Sequence, residues 1–548
     1  TFTAEACAVH CVLIGGLGAR LSLDVIRTAN YAGTFTAEAC AVHCVLIGGL
    51  GDPNGVRPPL SLCDISPALR GNLPQQPRDP RGIPTNSKIT TIINFISDTV
   101  GNVTGPGLRP GAGPGASSPL AGLRGGAPHK GGRRMDRLKD GGRHLLAFLK
   151  WMAIAAAVGG VMGAVGTGFH IALEWAAETR GHFPWLLWLL PAGGLLIVFL
   201  YRSCGISNPK GTNLLLETIR EKDKLPRSMA PLISVATVIT HLFGGSAGRE
   251  GAVLQLGGGI AYEIGRVLRL DEKDLHIITM CGMSAAFSAL FGTSIAAAVF
   301  SMEVISVGIM HYSALVPCVA ASALANWIAS SLGTHATAYA ISGIPELSPI
   351  SLLQTSGFAI LCAVLSIVFC VSLHTAGKLF QRFFPNQYLR IAVGGGMVIL
   401  LTYLFRSRDY LGAGTEIISA AAAGTALPWA FALKILFTAV TLGSGFKGGE
   451  IVPTFFIGAT FGCAAGPLLG LDPSFSAAMG MIALFCGVTN CPLTSLLIGV
   501  EMFGAQGMIF YFLAVAVSYM LSGYYGLYQG QKILYSKFRP EFIDTRSH

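Results

Sequence analysis

Long apolar stretches without a single charged residue alternate with short polar segments along most of this chain. A helix needs about 20 consecutive apolar residues to cross a membrane. Stretches much longer than one span must contain two helices or broken ones. The pattern predicts an all-α polytopic membrane protein whose spanning segments lie within residues 151–173, 181–201, 275–302, 304–345, 347–377, 473–500 and 502–531.

The composition supports this prediction, because 52% of the residues are apolar and only 12% are charged. A soluble domain has about a quarter of its residues charged, so a water-soluble fold is excluded. Basic clusters near both ends of the apolar region, "RRMDRLK" and "KFRPEF", suit cytoplasmic termini. Eight of the 13 cysteines are scattered through the apolar region, where cysteine behaves as a small hydrophobic residue. We therefore predict no metal site and no cofactor.

Residues 1–134 differ in composition from the rest of the chain. The string "TFTAEACAVHCVLIGGLG" occurs at 1–18 and again, unchanged, at 34–51, and all 14 methionines lie at or after Met135. We interpret residues 135–548 as the membrane domain, and the low-complexity segment before it as upstream sequence translated in frame, or as disordered. A transit peptide is the alternative. A basic nucleic-acid-binding tail fits less well, because aromatic residues do not alternate with the basic ones.

The two halves of the membrane domain share short motifs in the same order. The interval from Phe287 to Glu303 equals that from Phe485 to Glu501, at sixteen residues each. Three further motif pairs match in the same order: "GREG" at 248–251 with "GGEI" at 448–451, "GRVLRLD" at 265–271 with "GPLLGLD" at 466–472, and "GMSAAF" at 282–287 with "GMIALF" at 480–485. These four matched features predict a duplicated helical bundle.

Glycine-rich stretches interrupt both halves. The first repeat is expected to cover about residues 145–335 and the second about 348–525, followed by a C-terminal segment at 526–548. In each repeat a glycine-rich stretch, "GGSAGREG" or "GFKGGE", opens an apolar run. A helix that starts inside the membrane leaves backbone N–H groups unpaired, and these groups attract an anion. Two such half-helices meeting at the membrane midplane would form an anion site, which favours an anion pathway over a cation pathway.

These motifs resemble those of the CLC family of chloride channels and anion/proton exchangers. "GSAGREGAVLQLG" resembles the family motif G-[KR]-E-G-P, and "GGEIVPTFFIGATFG" resembles G-x-F-x-P-x-x-x-x-G-A-x-x-G. "FSALFGTSIAAAVFSMEV" is similar to the helix pair after the first motif, and "QKILYSK" to the terminal segment with a pore tyrosine. The resemblance covers about residues 140–540. It implies two inverted repeats of membrane helices and a homodimer with one pore in each subunit.

The departures from the chloride pattern point to one branch of that family. The serine motif G-S-G-I-P is replaced by "NPKGTNLLLE". Ala252 stands where the family has proline after "GREG", and Glu450 stands where chloride members have an apolar residue. Glu303 is followed by Val304 instead of a second glutamate, so the inner proton-transfer glutamate of the exchangers is missing. Together these changes resemble the bacterial fluoride/proton antiporters, although that branch often has threonine at the position of Val452.

The resemblance assigns proton-exchanging roles to two glutamates. Glu250, beside Gly251, is expected to be the gating glutamate: its carboxylate occupies the anion site, and protonation frees that site. Its structural alternative is a carboxylate that satisfies unpaired N–H groups at a helix start. Glu450 has the same alternative, but a carboxylate beside an anion path repels the anion unless it is protonated or hydrogen-bonded. We expect Glu450 to be the second protonatable group.

The anion-binding residues follow from the same motifs. Asn213 or Thr212 replaces the missing serine, Ile451 and Val452 lie at the second half-helix start, and Tyr535 corresponds to the pore tyrosine. The structural alternatives are a role for Asn213 as an N-cap and a role for Tyr535 as an ordinary interfacial tyrosine. The remaining polar residues of these regions have other expected roles. Glu303 and Glu501 are expected to be structural helix ends, Arg249 and Lys447 to be solvated charges, and His170 and His241 to be packing histidines.

The predicted function is proton-coupled export of fluoride by an integral protein of the bacterial inner membrane. The first alternative is a chloride channel or chloride/proton exchanger. The second is a membrane-embedded enzyme or scaffold, which fits poorly because the sequence has no nucleophile–base arrangement and no cluster of metal ligands. The expected partners are fluoride or chloride, protons, the lipid bilayer and a second copy of the chain. No nucleic acid is expected.

Overall fold

The computed structural model describes residues 130–206, 211–220, 225–334 and 336–548, with side chains from residue 142 onward. These residues belong to one compact unit, Gly126–His548. The interpretation of residues 1–134 therefore lies outside the described residues, apart from 130–134, which are helical.

The first half of the described chain consists of eight helices and two short 3-10 turns. A 3-10 turn, Pro184–Leu189, joins the first two helices, and Tyr312–Ala314 precedes the eighth. The helices are α1 Lys130–His182, α2 Leu190–Ser203, α3 Thr212–Arg220, α4 Met229–Leu242, α5 Glu250–Val267, α6 Glu272–Phe291, α7 Ser294–Glu303 and α8 Leu315–Ser331.

The second half has the same kind of organisation. Its two long helices come first, and two 3-10 turns, Gly466–Leu469 and Ala505–Gly507, separate shorter helices near the end. The helices are α9 Pro349–Phe383, α10 Gln387–Leu404, α11 Thr415–Ala422, α12 Ala430–Ser444, α13 Ile451–Ala465, α14 Pro473–Thr489, α15 Pro492–Phe503 and α16 Met508–Leu521.

Seven segments of the described chain are helical, long enough and apolar enough to cross a membrane. Shorter apolar helices occur in pairs. The predicted stretch 275–302 contains most of α6 and all of α7 except Glu303, with a break at 292–293, and 473–500 likewise contains α14 and most of α15. The prediction of a polytopic helical protein with broken helices is confirmed. The segments that could cross a membrane are Gly142–His182, Pro184–Ser203, Glu272–Phe291, Tyr312–Ser331, Pro349–Phe383, Gln387–Leu404 and Ile451–Leu469.

The matched motifs "GRVLRLD" and "GPLLGLD" form the same turn in both halves. Their last residues are N-caps: Asp271 accepts a hydrogen bond from Asp274 N at 2.8 Å, and Asp472 accepts one from Ser474 N at 2.9 Å. Two positions earlier, Arg269 and Gly470 both have a left-handed backbone, with φ of 54° and 77°. The sequence repeat therefore encodes a turn and a helix start, since a cap satisfies otherwise unpaired N–H groups.

Glycines let the broken helices pack closely on their neighbours. A Cβ atom on Gly257 of α5 would collide with the carbonyl oxygen of Gly282 on α6, and the reverse is equally true. The matching pair in the second half, Gly458 of α13 and Gly480 of α14, has the same relationship. Small residues allow this close approach in membrane bundles. The two half-helices are thus fixed in position by equivalent contacts.

Glu303 and Glu501 form reciprocal caps between the halves. The Glu303 carboxylate at the end of α7 accepts hydrogen bonds from Leu493 N at 3.0 Å and Thr494 N at 2.9 Å, at the start of α15. The Glu501 carboxylate near the end of α15 accepts bonds from two N–H groups at the start of α7, at 3.0 and 2.8 Å. Each glutamate therefore satisfies the unpaired donors of the other half's helix, which is the structural role expected of both.

A small sheet is the one departure from an all-helical fold in the described residues. Its strands are β1 Ser306–Val307, β2 Lys532–Tyr535 and β3 Phe542–Arg546, in that order. β1 pairs parallel with β2, and β2 pairs antiparallel with β3 with an irregularity between Ile533 and Tyr535. The C-terminal segment thus provides hydrogen-bond partners for the backbone N–H and C=O groups of the turn after α7.

Candidate functional site

The two glycine-rich stretches meet in the middle of the fold. Gly248 and Gly449 exchange two backbone hydrogen bonds, each 2.7 Å long, in an antiparallel bridge. Immediately after this bridge α5 begins at Glu250 and α13 begins at Ile451, which is completely buried. The bridge therefore places the starts of two helices, with their unpaired N–H groups, beside each other.

Glu250 connects these two helix starts. Its side chain is completely buried, and its Oε2 atom accepts hydrogen bonds from Arg249 N at 3.1 Å and Val452 N at 3.0 Å. Its Oε1 atom has no hydrogen-bond partner among the described residues. A negative group at this point interacts with backbone donors from both halves and with the positive ends of both helix dipoles.

Glu450 occupies a reciprocal position. A Cβ atom placed on Gly251 would lie 3.3 Å from Glu450 Oε2, and one placed on Gly449 would lie 2.8 Å from Glu250 Oε2. Each carboxylate therefore lies against a glycine of the other's segment. The Oε2 atom of Glu450 is buried and has no hydrogen-bond partner among the described residues. The structure brings the two predicted proton-exchanging glutamates to one place.

A methyl group at Gly449 should disturb this arrangement strongly. In Gly449→Ala the new Cβ would lie 2.7 Å from Glu250 N and 2.8 Å from Glu250 Oε2, so the carboxylate must move. We expect anion transport by reconstituted protein to fall roughly tenfold, since overpacking costs about 1–3 kcal/mol. Gly396→Ala on α10, where a Cβ atom would meet open space, is the matched control. Equal transport by both variants would show that the glycine contact does not fix Glu250.

Thr212 and Gln255 form a polar cluster beside Gly251. The Gln255 side-chain nitrogen donates to Gly251 O at 2.9 Å and to Thr212 Oγ1 at 3.3 Å. The Thr212 hydroxyl donates to the same Gly251 oxygen at 3.4 Å, and a Cβ atom on Gly251 would lie 3.2 Å from it. Thr212 was expected from the sequence, whereas Gln255 was not. Both side chains are buried and hold the start of α5 next to α3.

Asn213 and Glu450 line the same cavity. Its Oδ1 atom accepts a hydrogen bond from Gly530 N at 2.9 Å, in the C-terminal segment. Asn213 is the second residue of α3, and this bond replaces the N-cap role considered above. Because the amide oxygen is already used, a contact with an anion would come from the amide nitrogen, which is a donor.

The structure brings a different tyrosine to the glutamates from the one expected. Tyr535 lies on β2, where its ring is 43% exposed and contacts Phe542 at 5.6 Å between centroids. Tyr528, seven residues earlier, is buried, and its hydroxyl has no hydrogen-bond partner among the described residues. Its chain neighbours Leu527 and Gln529 line the same cavity as Glu450, which places Tyr528 in the region of that glutamate. Tyr528 is therefore a candidate site residue that the motif comparison missed.

Two cavities reach this region from different directions. The Lys447 cavity, about 490 Å³, is lined by Tyr201, Asn213, Lys378, Arg390, Lys447 and Glu450 among others. The Arg249 cavity, about 1040 Å³, is lined by residues that include His170, Glu174, Arg249, Tyr339 and Val452. The first adjoins the carboxyl end of α2 and the second adjoins the carboxyl end of α1. The two cavities therefore adjoin the carboxyl ends of two different helices.

Arg249 is held by side chains, in contrast to the solvent-exposed role expected from the sequence. Its guanidinium donates to His170 Nδ1 at 2.8 Å, and His170 Nε2 lies 3.1 Å from Glu174 Oε1. Both partners are on α1, about 80 residues earlier, so local sequence could not reveal them. His241 Nδ1, in contrast, bonds to Thr237 O at 2.9 Å within its own helix, as a packing histidine does.

Known proteins are similar in sequence to this chain over most of its length. The family model described as voltage gated chloride channel matches residues 193–523. A chloride/fluoride channel protein of Pseudomonas syringae pv. tomato is 34% identical over 401 residues, which are 72% of this chain and 89% of that protein. The H(+)/Cl(-) exchange transporter ClcA of Vibrio cholerae is 28% identical over 386 residues, covering 63% of this chain and 80% of that one.

Solved structures share the fold. The crystal structure of a CLC-type fluoride/proton antiporter has a TM-score of 0.68 and 33% identity, and the match covers 70% of this chain and 98% of that one. A slow cyanobacterial Cl⁻/H⁺ antiporter has a TM-score of 0.59 at 21% identity over 68% and 94% of the two chains, which supports the fold alone. The predicted resemblance is confirmed: this integral membrane protein belongs to the CLC family of voltage-gated chloride channels and anion/proton antiporters.

Proposed function

We propose that this protein exports fluoride in exchange for protons, with Glu250 as the gating glutamate. The observation that carries the proposal is the Glu250 carboxylate between the two helix starts, where it accepts bonds from Arg249 N and Val452 N. These backbone donors are suited to a small anion. An anion can use them only when the carboxylate gives them up.

Protonation provides the means of release. An ionised carboxylate competes with the anion for the two N–H groups, whereas the neutral acid accepts weaker hydrogen bonds. When Glu250 takes a proton, its hold on Val452 N weakens and the anion occupies the vacated donors. When the anion leaves, the carboxylate returns and releases its proton. One side chain thus links the movement of an anion to the opposite movement of a proton.

Glu450 is proposed to pass protons between Glu250 and the Lys447 cavity. It lines that cavity, while its Oε2 atom lies against Gly251, next to Glu250. A carboxylate oxygen without a donor can accept a proton from either side. The family's exchangers use an inner glutamate that this chain replaces with Val304, and Glu450 provides a carboxylate on the route instead.

The preference for fluoride follows from the donors available. Fluoride is small and strongly hydrated, so a site that removes its water must return strong hydrogen bonds. The N–H groups of Arg249 and Val452, the Asn213 amide nitrogen and the Tyr528 hydroxyl could supply them. The relative at 34% identity and the structure at 33% identity both carry fluoride in their names, which supports this choice.

A chloride/proton exchanger is the second candidate. The ClcA relatives are named as such exchangers, and Val452 contributes no side-chain hydroxyl at the second helix start. Both candidates use the same exchange mechanism at Glu250, and they differ in which anion the site prefers. Whichever anion is carried, we infer a homodimer in a bacterial inner membrane, in keeping with the bacterial relatives.

Flux measurements in liposomes test the proposal. We expect reconstituted protein to release fluoride at least tenfold faster than chloride, because a site built around close donors discriminates strongly against an anion that fits them poorly. A pH gradient alone should drive fluoride uphill, as recorded with a fluoride electrode. Asn213→Ser should lower the ratio of fluoride release to chloride release. Comparable fluoride and chloride release by the unmutated protein would favour the chloride exchanger.

A further inference from the structure

A completely buried lysine lies on the helix that precedes the second glycine-rich stretch. Lys434 belongs to α12, and its side chain is 0% exposed. Among the described residues, no carboxylate forms an ion pair with it. Its ammonium donates instead to two backbone carbonyl groups, Tyr410 O at 3.2 Å and Gly412 O at 2.7 Å. Because a buried charge without partners is costly, these two bonds hold the turn 410–412 firmly against α12.

The same ammonium lies over an aromatic ring of the second half-helix. Its nitrogen is 4.9 Å from the centre of the Phe456 ring, on α13, and a cation is attracted to the face of such a ring. The Phe456 ring also contacts the Tyr410 ring, at 6.2 Å between centroids. Lys434 therefore joins α12, α13 and the turn 410–412 at one point.

The turn 410–412 in its place holds the first glycine-rich stretch. Gly412 N donates to Gly245 O at 3.1 Å. Gly412 has a left-handed backbone, with φ of 59°, and a Cβ atom on it would lie 2.8 Å from Arg180 Nη1. That nitrogen donates to His241 O at 2.6 Å, near the end of α4. A movement of the turn would therefore disturb both the end of α4 and the glycine-rich stretch that follows it.

Two threonines on the same helix hold the next residue of that stretch. Thr441 Oγ1 accepts a hydrogen bond from Ser246 N at 3.1 Å, and the hydroxyl oxygens of Thr438 and Ser246 lie 3.1 Å apart. Lys434, Thr438 and Thr441 are spaced at i, i+4 and i+7, which is one face of a helix, and all three are completely buried. This face of α12 fixes Ser246 directly and Gly245 through the turn.

We propose that Lys434 is a positioning residue for the ion exchange at Glu250. By holding the turn 410–412 against Gly245, it fixes the stretch that presents Arg249 N to the Glu250 carboxylate at 3.1 Å. Lys434 acts through the backbone of that stretch, and the charge of its ammonium serves to hold the turn. The proposal rests on the proposed exchange at Glu250, and it applies equally to fluoride and to chloride.

Loss of this support should let anions pass without protons. The Glu250 carboxylate blocks the anion only while it is held between Arg249 N and Val452 N, at 3.1 and 3.0 Å. A displacement of about 1 Å can remove most of the effect of a positioned group. The number of protons moved per anion therefore depends on the position of Glu250. A folding defect, in contrast, lowers the proton and anion fluxes in the same proportion and leaves their ratio unchanged.

Lys434→Met tests the proposal, because methionine has a similar length but neither a charge nor a donor. In liposomes, with protons followed by a pH-sensitive dye and anions by an electrode, we expect the protons moved per anion to fall at least about twofold. Lys434→Arg keeps the charge and the donors and should retain most of the original ratio. Thr441→Val removes the acceptor of Ser246 N and should lower the ratio as well.

The matched control for the threonine is Thr402→Val on α10. The Thr402 side chain is buried, and its hydroxyl donates to Val398 O within its own helix at 2.8 Å. This variant loses a buried hydroxyl far along the chain from both glycine-rich stretches and should leave the ratio of protons to anions unchanged. An equal fall of the ratio in Thr402→Val and Thr441→Val would overturn the role of this face of α12.

Amide hydrogen exchange provides a second readout that needs no transport. Gly412 N and Ser246 N are bonded to Gly245 O and Thr441 Oγ1, so peptides covering 408–414 and 244–250 should exchange at least about tenfold faster in Lys434→Met. Peptides from α14 should exchange as they do in the unmutated protein. Equal acceleration throughout the membrane domain would mean a general loss of stability and would overturn the positioning role.

The two proposals fail in different ways. If the unmutated protein moves no protons with the anion, the proposed ion exchange is wrong, and faster amide exchange at 244–250 in Lys434→Met would still support its hold on the stretch. If Lys434→Met keeps the ratio of protons to anions, even at lower fluxes, Lys434 supports the fold alone and the positioning role is excluded. Unchanged amide exchange at 244–250 would exclude that role as well.

Discussion

Replacing Glu250 by glutamine should abolish proton-coupled exchange. The amide has nearly the shape of the protonated acid, so it imitates one state of the gate and cannot reach the other. Its oxygen can still accept weak hydrogen bonds from Arg249 N and Val452 N, the two donors that hold the carboxylate at 3.1 and 3.0 Å. We expect proton movement driven by an anion gradient to fall at least about hundredfold, the range typical of losing an acid–base group.

The measurement is proton uptake into liposomes under an imposed anion gradient, recorded with a pH-sensitive dye. Glu501→Gln is the matched control, because that glutamate lies outside the site and caps the start of α7 through Ile295 N and Ala296 N; the amide oxygen of a glutamine can still accept one of these two bonds. Passive anion flux through Glu250→Gln can persist, since its gate is held in the neutral form. Intact proton–anion exchange in Glu250→Gln would exclude Glu250 as the gate.

Much of the fold could be predicted because the chain repeats local signals. The turn formed by Arg269 and Asp271 recurs at Gly470 and Asp472, and each version contains its own left-handed residue and its own capping carboxylate. Such signals lie within a few residues of the structure they specify. The positions of both glutamates at helix starts were predictable for the same reason, since glycine-rich breaks precede them directly.

The missed parts of the site depend on contacts between distant segments. Tyr528 and Tyr535 both follow the last helix, and a short motif favoured the second, but strand pairing with Ser306–Val307 holds β2 away as part of a sheet. The sheet itself has no strong local signal, because two of its strands lie in the terminal segment and the third has only two residues. Arg249 was misjudged because its partner His170 lies on another helix.

The two glutamates make reciprocal contacts with the glycine-rich segments. Glu250 lies against Gly449, and Glu450 lies against Gly251, so each half of the protein presents a carboxylate to the other half's glycine-rich segment. The surroundings of the two carboxylates nevertheless differ. Glu250 is completely buried between two helix starts, whereas Glu450 lines the Lys447 cavity. This difference supports the proposal that Glu250 competes with the anion and that Glu450 exchanges protons with water.

Replacing Glu450 by glutamine should therefore slow proton-coupled turnover about hundredfold while changing anion preference little. The donors that contact Glu250 come from Arg249 and Val452, and Glu450 contributes none of them. Removing its proton-accepting oxygen interrupts the route from the Lys447 cavity without changing those donors. Fluoride and chloride release should be measured with and without a pH gradient, so that coupling and selectivity are obtained from one preparation.

Two comparisons make this test specific. Glu450→Asp keeps an ionisable group on a shorter side chain and should recover part of the coupled rate, whereas Glu450→Ala should match the glutamine variant. Glu303→Gln, at the reciprocal cap that bonds Leu493 N and Thr494 N, should leave coupling unchanged. If Glu450→Gln altered the fluoride-to-chloride ratio as much as the coupled rate, Glu450 would belong to the anion site itself. If coupling survived unchanged, protons would have to reach Glu250 from the Arg249 cavity, where His170 and Glu174 lie beside Arg249.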